Sequence, residues 1–207
     1  MKAKTIISIA IAAAMAATSV ISVSAGTIEL TPDNNSGNTE VKARISGAPT
    51  PGSVDYIITI PDVIDFGELT QPAANTDSFN DKTFNVELTK LTGESFDSDA
   101  QQISVYVKDE NATTEKSEFY IANKTDSSIK FEYEVFRKTP SEENKVSSGS
   151  FRTTGYFYTS FTEQGDAESG TLRLNQRQLY GRNLADIVGE YSGYMVFTSF
   201  IENQTQP

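Results

Sequence analysis

Apolar side chains at every second position recur along most of this chain, and that rhythm limits what it can become. A strand sends successive side chains to opposite faces, so alternation builds half-buried sheets and not helices. Val41, Ala43 and Ile45 alternate with Lys42 and Arg44. Val54, Tyr56, Ile58 and Ile60 form an inward set that ends at Pro61, which has no N–H to give to a ladder. Phe84, Val86 and Leu88 repeat the pattern, as do Ile103, Val105 and Val107. Residues 119–122 and 129–135 flank the polar run 123–128, which predicts a hairpin with one wet face. Further strands are predicted at 156–161 and 171–174, with one closing strand over 191–201. About nine strands result, spaced as a single antiparallel β-sandwich over residues 40–207 would space them. Helix signals amount to a turn or two near 176–180 or 184–188. Polar breakers at 31–39, 70–78 and 139–150 read as loops, the last as the best candidate for a mobile one.

The first 25 residues read as a signal peptide. Lys2 and Lys4 precede an apolar run over 6–17, and Val23-Ser24-Ala25 supplies small residues for cleavage. The run is shorter than the ~20 apolar residues that span a bilayer. The expectation is a secreted or cell-surface protein with no stable membrane insertion, since no sorting signal, lipid-accepting Cys or hydrophobic tail follows. Loss of Lys2 and Lys4 with the leader leaves 15 basic against 28 acidic residues, a net charge of −13. Such a surface repels nucleic acid and anionic lipid. With no Cys, stability must come from packing and sheet hydrogen bonds, and a bacterial source fits that absence. Sequons at Asn34, Asn111, Asn123 and Asn203 arise easily in an Asn- and Thr-rich chain.

The chain has no His and no Cys, so Ser-His-Asp catalysis, thiolate chemistry and the usual zinc ligands are excluded. No phosphate-cradling or dinucleotide glycine motif occurs. Carboxylate pairs such as Asp97 with Asp99, or Asp109 with Glu110, are expected to be solvated loop residues, as is a calcium reading of Asp97-Ser98-Asp99. The reading is therefore not an enzyme, with no cofactor and no metal. Tyr156 and Tyr158 are candidate ligand-binding aromatics, because flat rings stack on sugars. Alternation sends them to one side of their strand and Phe157 and Phe161 to the other, and core packing is the favoured explanation. A Lys–Asn isopeptide crosslink would need a lysine, an asparagine and a carboxylate buried together.

Two segments carry a resemblance. Tyr56-Ile57-Ile58-Thr59-Ile60-Pro61 with Ile64-Asp65-Phe66-Gly67, after the strand at 40–45, resembles the opening of secreted bacterial β-sandwich proteins. Gly189-Glu190-Tyr191-Ser192-Gly193, running into an apolar strand, is similar to the closing strand of fimbrial subunits and related adhesins. The resemblance implies an immunoglobulin-like or fimbrial-like sandwich serving as a structural or adhesive subunit. Its partners would be copies of itself, other surface proteins, a glycan or a host protein. It also implies assembly by β-strand addition, with a donor in residues 26–39 (Ile28 and Leu30 on one face) or in the run Val41, Ala43, Ile45. Tyr191 and Gly193 would shape the accepting end. An ordinary first strand of a complete domain is the favoured alternative for these N-terminal runs. A soluble carbohydrate- or protein-binding module is the alternative function.

Overall fold

A computed structural model describes residues 27–30, 36–38, 54–93, 95–113 and 115–204. The expected signal peptide and the run Val41, Ala43, Ile45 lie outside the described residues. The strands are β1 (Thr27–Leu30), β2 (Ser36–Asn38), β3 (Asp55–Pro61), β4 (Phe79–Thr92), β5 (Gln101–Asp109) and β6 (Tyr120–Asn123). After them come β7 (Lys130–Arg137), β8 (Phe151–Arg152), β9 (Gly155–Phe161), β10 (Ala167–Asn175), β11 (Tyr191–Ser192) and β12 (Met195–Asn203). Among the described residues helix is confined to 3-10 turns at Val146–Ser148 and Gln176–Leu179 and to α1 (Leu184–Ile187). The fold is all-β, as the alternation predicts.

Two antiparallel sheets form, ordered β1-β3-β4-β10-β7-β6-β11 and β2-β12-β5-β9-β8. Their inner faces meet in one core. Tyr56, Ile58 and Ile60 of β3 are buried, as are Phe84, Val86 and Leu88 of β4 and Ile103, Val105 and Val107 of β5. Phe84 of the first sheet stacks on Tyr158 of the second at 5.8 Å between ring centroids, and Phe197 packs edge-on to both. Each such side chain contributes about 1.5–3 kcal/mol by leaving water, which lets a chain without disulfides hold together.

Four local results differ from the alternation. The closing strand is two strands: β11 ends the seven-stranded sheet against β6, and β12 lies between β2 and β5 in the other sheet. The chain crosses between sheets at Gly193-Tyr194, a jump that side-chain periodicity does not record. In β9, Val105 lies opposite Thr159 and Tyr106 opposite Phe157, leaving Tyr158 as an extra residue. This bulge resets the alternation, so Phe161 is buried with Tyr156 and Tyr158 while Phe157 is exposed. Strands β4 and β10 extend well past their apolar cores and pair over Ala167–Asn175, including polar residues whose outer faces are wet. The predicted loop at 139–150 is pinned by buried Val146, by a bridge from Lys145 to Phe136, and by the ion pair of Lys145 with Glu134.

Candidate functional site

A lateral seam runs where the β1–β3 edge of the first sheet lies beside the β2–β12 edge of the second. The Tyr56 hydroxyl reaches across it to Ser199 Oγ at 3.2 Å, in a fully buried setting. Burial raises the pKa of this phenol, with the Ser199 bond opposing, so it stays protonated. The N-terminal strands close half of the seam. β1 adds antiparallel to β3, with Ile28 opposite Ile60 and Leu30 opposite Ile58. β2 adds to β12, with Ser36, Gly37 and Asn38 opposite Thr198, Phe197 and Val196. Beyond these contacts no described strand pairs with Asp55–Ile57 of β3 or with 199–203 of β12 on the seam side. Main-chain donors and acceptors along such an edge can accept a further strand. The β2 contribution was invisible in sequence, because Ser36-Gly37-Asn38 has neither apolar residues nor alternation.

The two familiar segments converge at one end of this seam, on either side of an open groove of about 780 Å³. On one wall, Asp65 Oδ1 accepts from Gly67 N at 2.7 Å, Gly67 takes a left-handed φ of 70°, and Phe66 turns inward against Tyr133. On the other, the Tyr191 hydroxyl donates to Ile187 O at 2.5 Å, and the Tyr191 ring meets Phe131 at 5.0 Å. Gly193 passes under the Tyr120 carbonyl so closely that a Cβ would overlap its oxygen. Phe131, Tyr133, Leu172 and Met195 lie along the groove, and exposed Leu184 and Val188 flank it. The β1 strand begins opposite Pro61 at this end.

The aromatic pair proposed for ligand stacking is corrected by the structure. Tyr156 and Tyr158 are buried, the first against Phe151 and Phe119, the second against Phe84 and Phe197, so neither offers a ring face to solvent. The cause is the inward direction of β9 at both positions. Asp97 and Asp99 are exposed and build a turn, in which Asp97 Oδ1 accepts from Asp99 N at 3.0 Å. Asp109 is buried and holds Asn111, with Oδ1 accepting from Asn111 N at 2.8 Å. No group of three or more potential metal-binding side chains occurs among the described residues. No lysine among them is buried, so none joins a buried asparagine and carboxylate.

No family model matches this chain, and no curated protein does. Among solved structures it is similar to a chain from a chaperone–tip adhesin complex of CFA/I fimbriae biogenesis. The identity is 11% over 86% of this chain, with a TM-score of 0.38. The chain spans 44% of that longer chain, and at this TM-score the likeness carries no argument. Among the described residues no helix is long and apolar enough to cross a membrane.

Proposed function

We propose that this protein is a secreted, non-catalytic surface subunit with a structural or adhesive role, its two sheets forming a sandwich of the immunoglobulin or fimbrial kind. Copies assemble when the N-terminal strand of one pairs with β3 of another. The observation that supports this is the register of β1 on β3, which sets Ile28 and Leu30 opposite two fully buried isoleucines. Main-chain hydrogen bonds supply affinity in this mode, and alternate apolar positions supply specificity. The same pairing serves within a chain or between chains, so a subunit carries both halves of its own joint. The absence of His and Cys from the whole sequence supports the non-catalytic part of the reading.

The missing cysteines make the test clean. Glu29 and Thr59 are register partners, so the double variant Glu29→Cys with Thr59→Cys can form a disulfide where β1 meets β3, and the two single-cysteine variants report any random cross-linking to be subtracted. Oxidation over a range of protein concentrations should give disulfide-linked dimers and higher ladders on a non-reducing gel, their share rising with concentration. A disulfide that stays wholly internal at every concentration refutes the assembly.

A further inference from the structure

Where β7 ends, the space between the sheets opens into a smaller cavity of about 260 Å³. Arg137, Lys138, Phe157, Tyr158, Ser160 and Glu168 contribute to its lining. Register puts Arg137 opposite Gly170, and the Tyr158 hydroxyl lies 2.5 Å from where a Cβ on Gly170 would sit, in space that only glycine leaves open. Tyr158 is fully buried, yet its hydroxyl has no hydrogen-bond partner among the described residues, and neither does the buried Nε of Arg137. Buried polar groups are nearly always paired, so two orphan donors at one cavity need an explanation. The Arg137 guanidinium makes one long bond, from Nη2 to Glu143 O at 3.3 Å. Burial raises the Tyr158 phenol well above its ordinary range, with Glu168 adding to the effect and Arg137 opposing it, so the hydroxyl stays protonated and can donate.

The backbone beside the cavity is strained. Lys138 holds a left-handed φ of 59°, fixed by Lys138 N donating to Ser169 O and Thr171 Oγ1 donating to Lys138 O, each at 2.7 Å. Strain of this kind clusters at functional positions. The lining is also cationic, two positive side chains to one carboxylate, in a chain whose net charge is −11.

We propose that this cavity binds the carboxylate of an acidic sugar. The two carboxylate oxygens take the Arg137 guanidinium and the Tyr158 hydroxyl, a charge-assisted pair of donors. Glu168, whose strand position faces the core like Gly170 and Leu172, takes ring hydroxyls. A carboxylate on a protein side chain would bring acceptors only and leave Glu168 nothing to receive from. The volume falls below the ~300–1,000 Å³ of pockets for drug-sized ligands, which suits a single ring. Tyr158 thus acts through its hydroxyl, although its ring cannot stack. The cavity shares no residue with the seam, and its occupancy does not depend on assembly.

Calorimetric titration of the full chain with glucuronate and, separately, with N-acetylneuraminate tests it, with glucose as the neutral control. The two arms distinguish a uronic from a sialic source. One acid should bind about tenfold or more tightly than glucose, and Tyr158→Phe and Arg137→Gln should each weaken it by about tenfold. Tyr158→Phe removes only an unpaired hydroxyl, so its Tm should match the wild type and certify a folded protein. Saturable binding by neither acid, equal binding of glucose, or unchanged affinity in both variants overturns the proposal. Acetate competing as strongly as the acid overturns the sugar assignment.

Discussion

Gly193→Ala should be among the most damaging single-methyl additions in this chain, through steric overlap alone. The backbone at Gly193 is not left-handed, so alanine meets no conformational penalty there. The added Cβ would instead overlap the Tyr120 carbonyl oxygen, which belongs to the β6 backbone and cannot rotate away as a side-chain tip could. Relief requires β6 and β11 to part. That endangers the pairs Tyr191 with Asn123 and Ser192 with Ala122. It also endangers the flanking bonds from Lys124 N to Glu190 O at 2.8 Å and from Glu110 N to Tyr194 O at 3.1 Å. Loss of three such bonds at about 0.5–1.5 kcal/mol each, with weakened packing of Tyr191 on Phe131, gives about 2–5 kcal/mol. Gly67→Ala is the control: its Cβ would meet nothing within 4 Å, so only the left-handed φ of 70° is penalised, by about 1–2 kcal/mol. Equilibrium urea unfolding of the two variants measures both. In a chain of this length each kcal/mol lowers Tm by ~2–4 °C, so Gly193→Ala should melt at least about 4 °C below the wild type. Stability within about 0.5 kcal/mol of the wild type would refute the steric reasoning.

Other substitutions probe the seam and the buried acid. Tyr56→Phe leaves the buried Ser199 hydroxyl without its partner and should cost about 1–2 kcal/mol in urea unfolding, whereas adding Ser199→Ala should recover part of that loss. Burial raises the folded-state pKa of Asp109, against which the Asn111 hydrogen bonds act. The folded state therefore binds the proton more tightly than the unfolded state, and this residue's contribution to stability falls as pH rises from its unfolded pKa near 3.8 through the raised folded value. The stability difference between wild type and Asp109→Asn should shift in favour of the wild type as pH is lowered from 7 toward 4, and a difference flat with pH would contradict the assignment.

Periodicity foretold those parts of the fold in which a strand stays in one sheet and one face is apolar. Strand β3 is the clearest case, with Tyr56, Ile58 and Ile60 inward and Pro61 at its end. The hairpin of β6 and β7 pairs Ile121 with Phe131 across the predicted turn. Of the three helical turns described, those at Gln176–Leu179 and Leu184–Ile187 fall at the two alternative places the sequence offered, and the one at Val146–Ser148 lies in an expected loop. What escaped was whatever depends on a partner strand. The break between β11 and β12 is set by contact with Tyr120, some seventy residues earlier in the chain, and apolar spacing continues through it. The β9 bulge likewise depends on register with β5, and one extra residue turned Phe161 inward. Only the strand placement of Ile28, Leu30 and Tyr191, with Gly193 just after β11, was legible, because they sit in alternating or glycine-marked runs. Arg137 and Glu168 were not, because a strand-end arginine facing inward looks in sequence like any solvated one.

The seam also explains how one sequence can serve both the favoured reading of a complete domain and a subunit reading. β1 offers four register pairs and β2 three, a short ladder of the kind that is marginal when isolated. A slip of one residue would replace Ile28 and Leu30 as the register partners of buried Ile60 and Ile58. The pairing is therefore the same whether β1 belongs to the chain that owns β3 or to a neighbour. With identical pairing on either route, the balance is set by the effective concentration of the tethered strand against the actual concentration of other copies. In the proposed assembly, pairing between chains would need no additional surface, and crowding copies together would favour it.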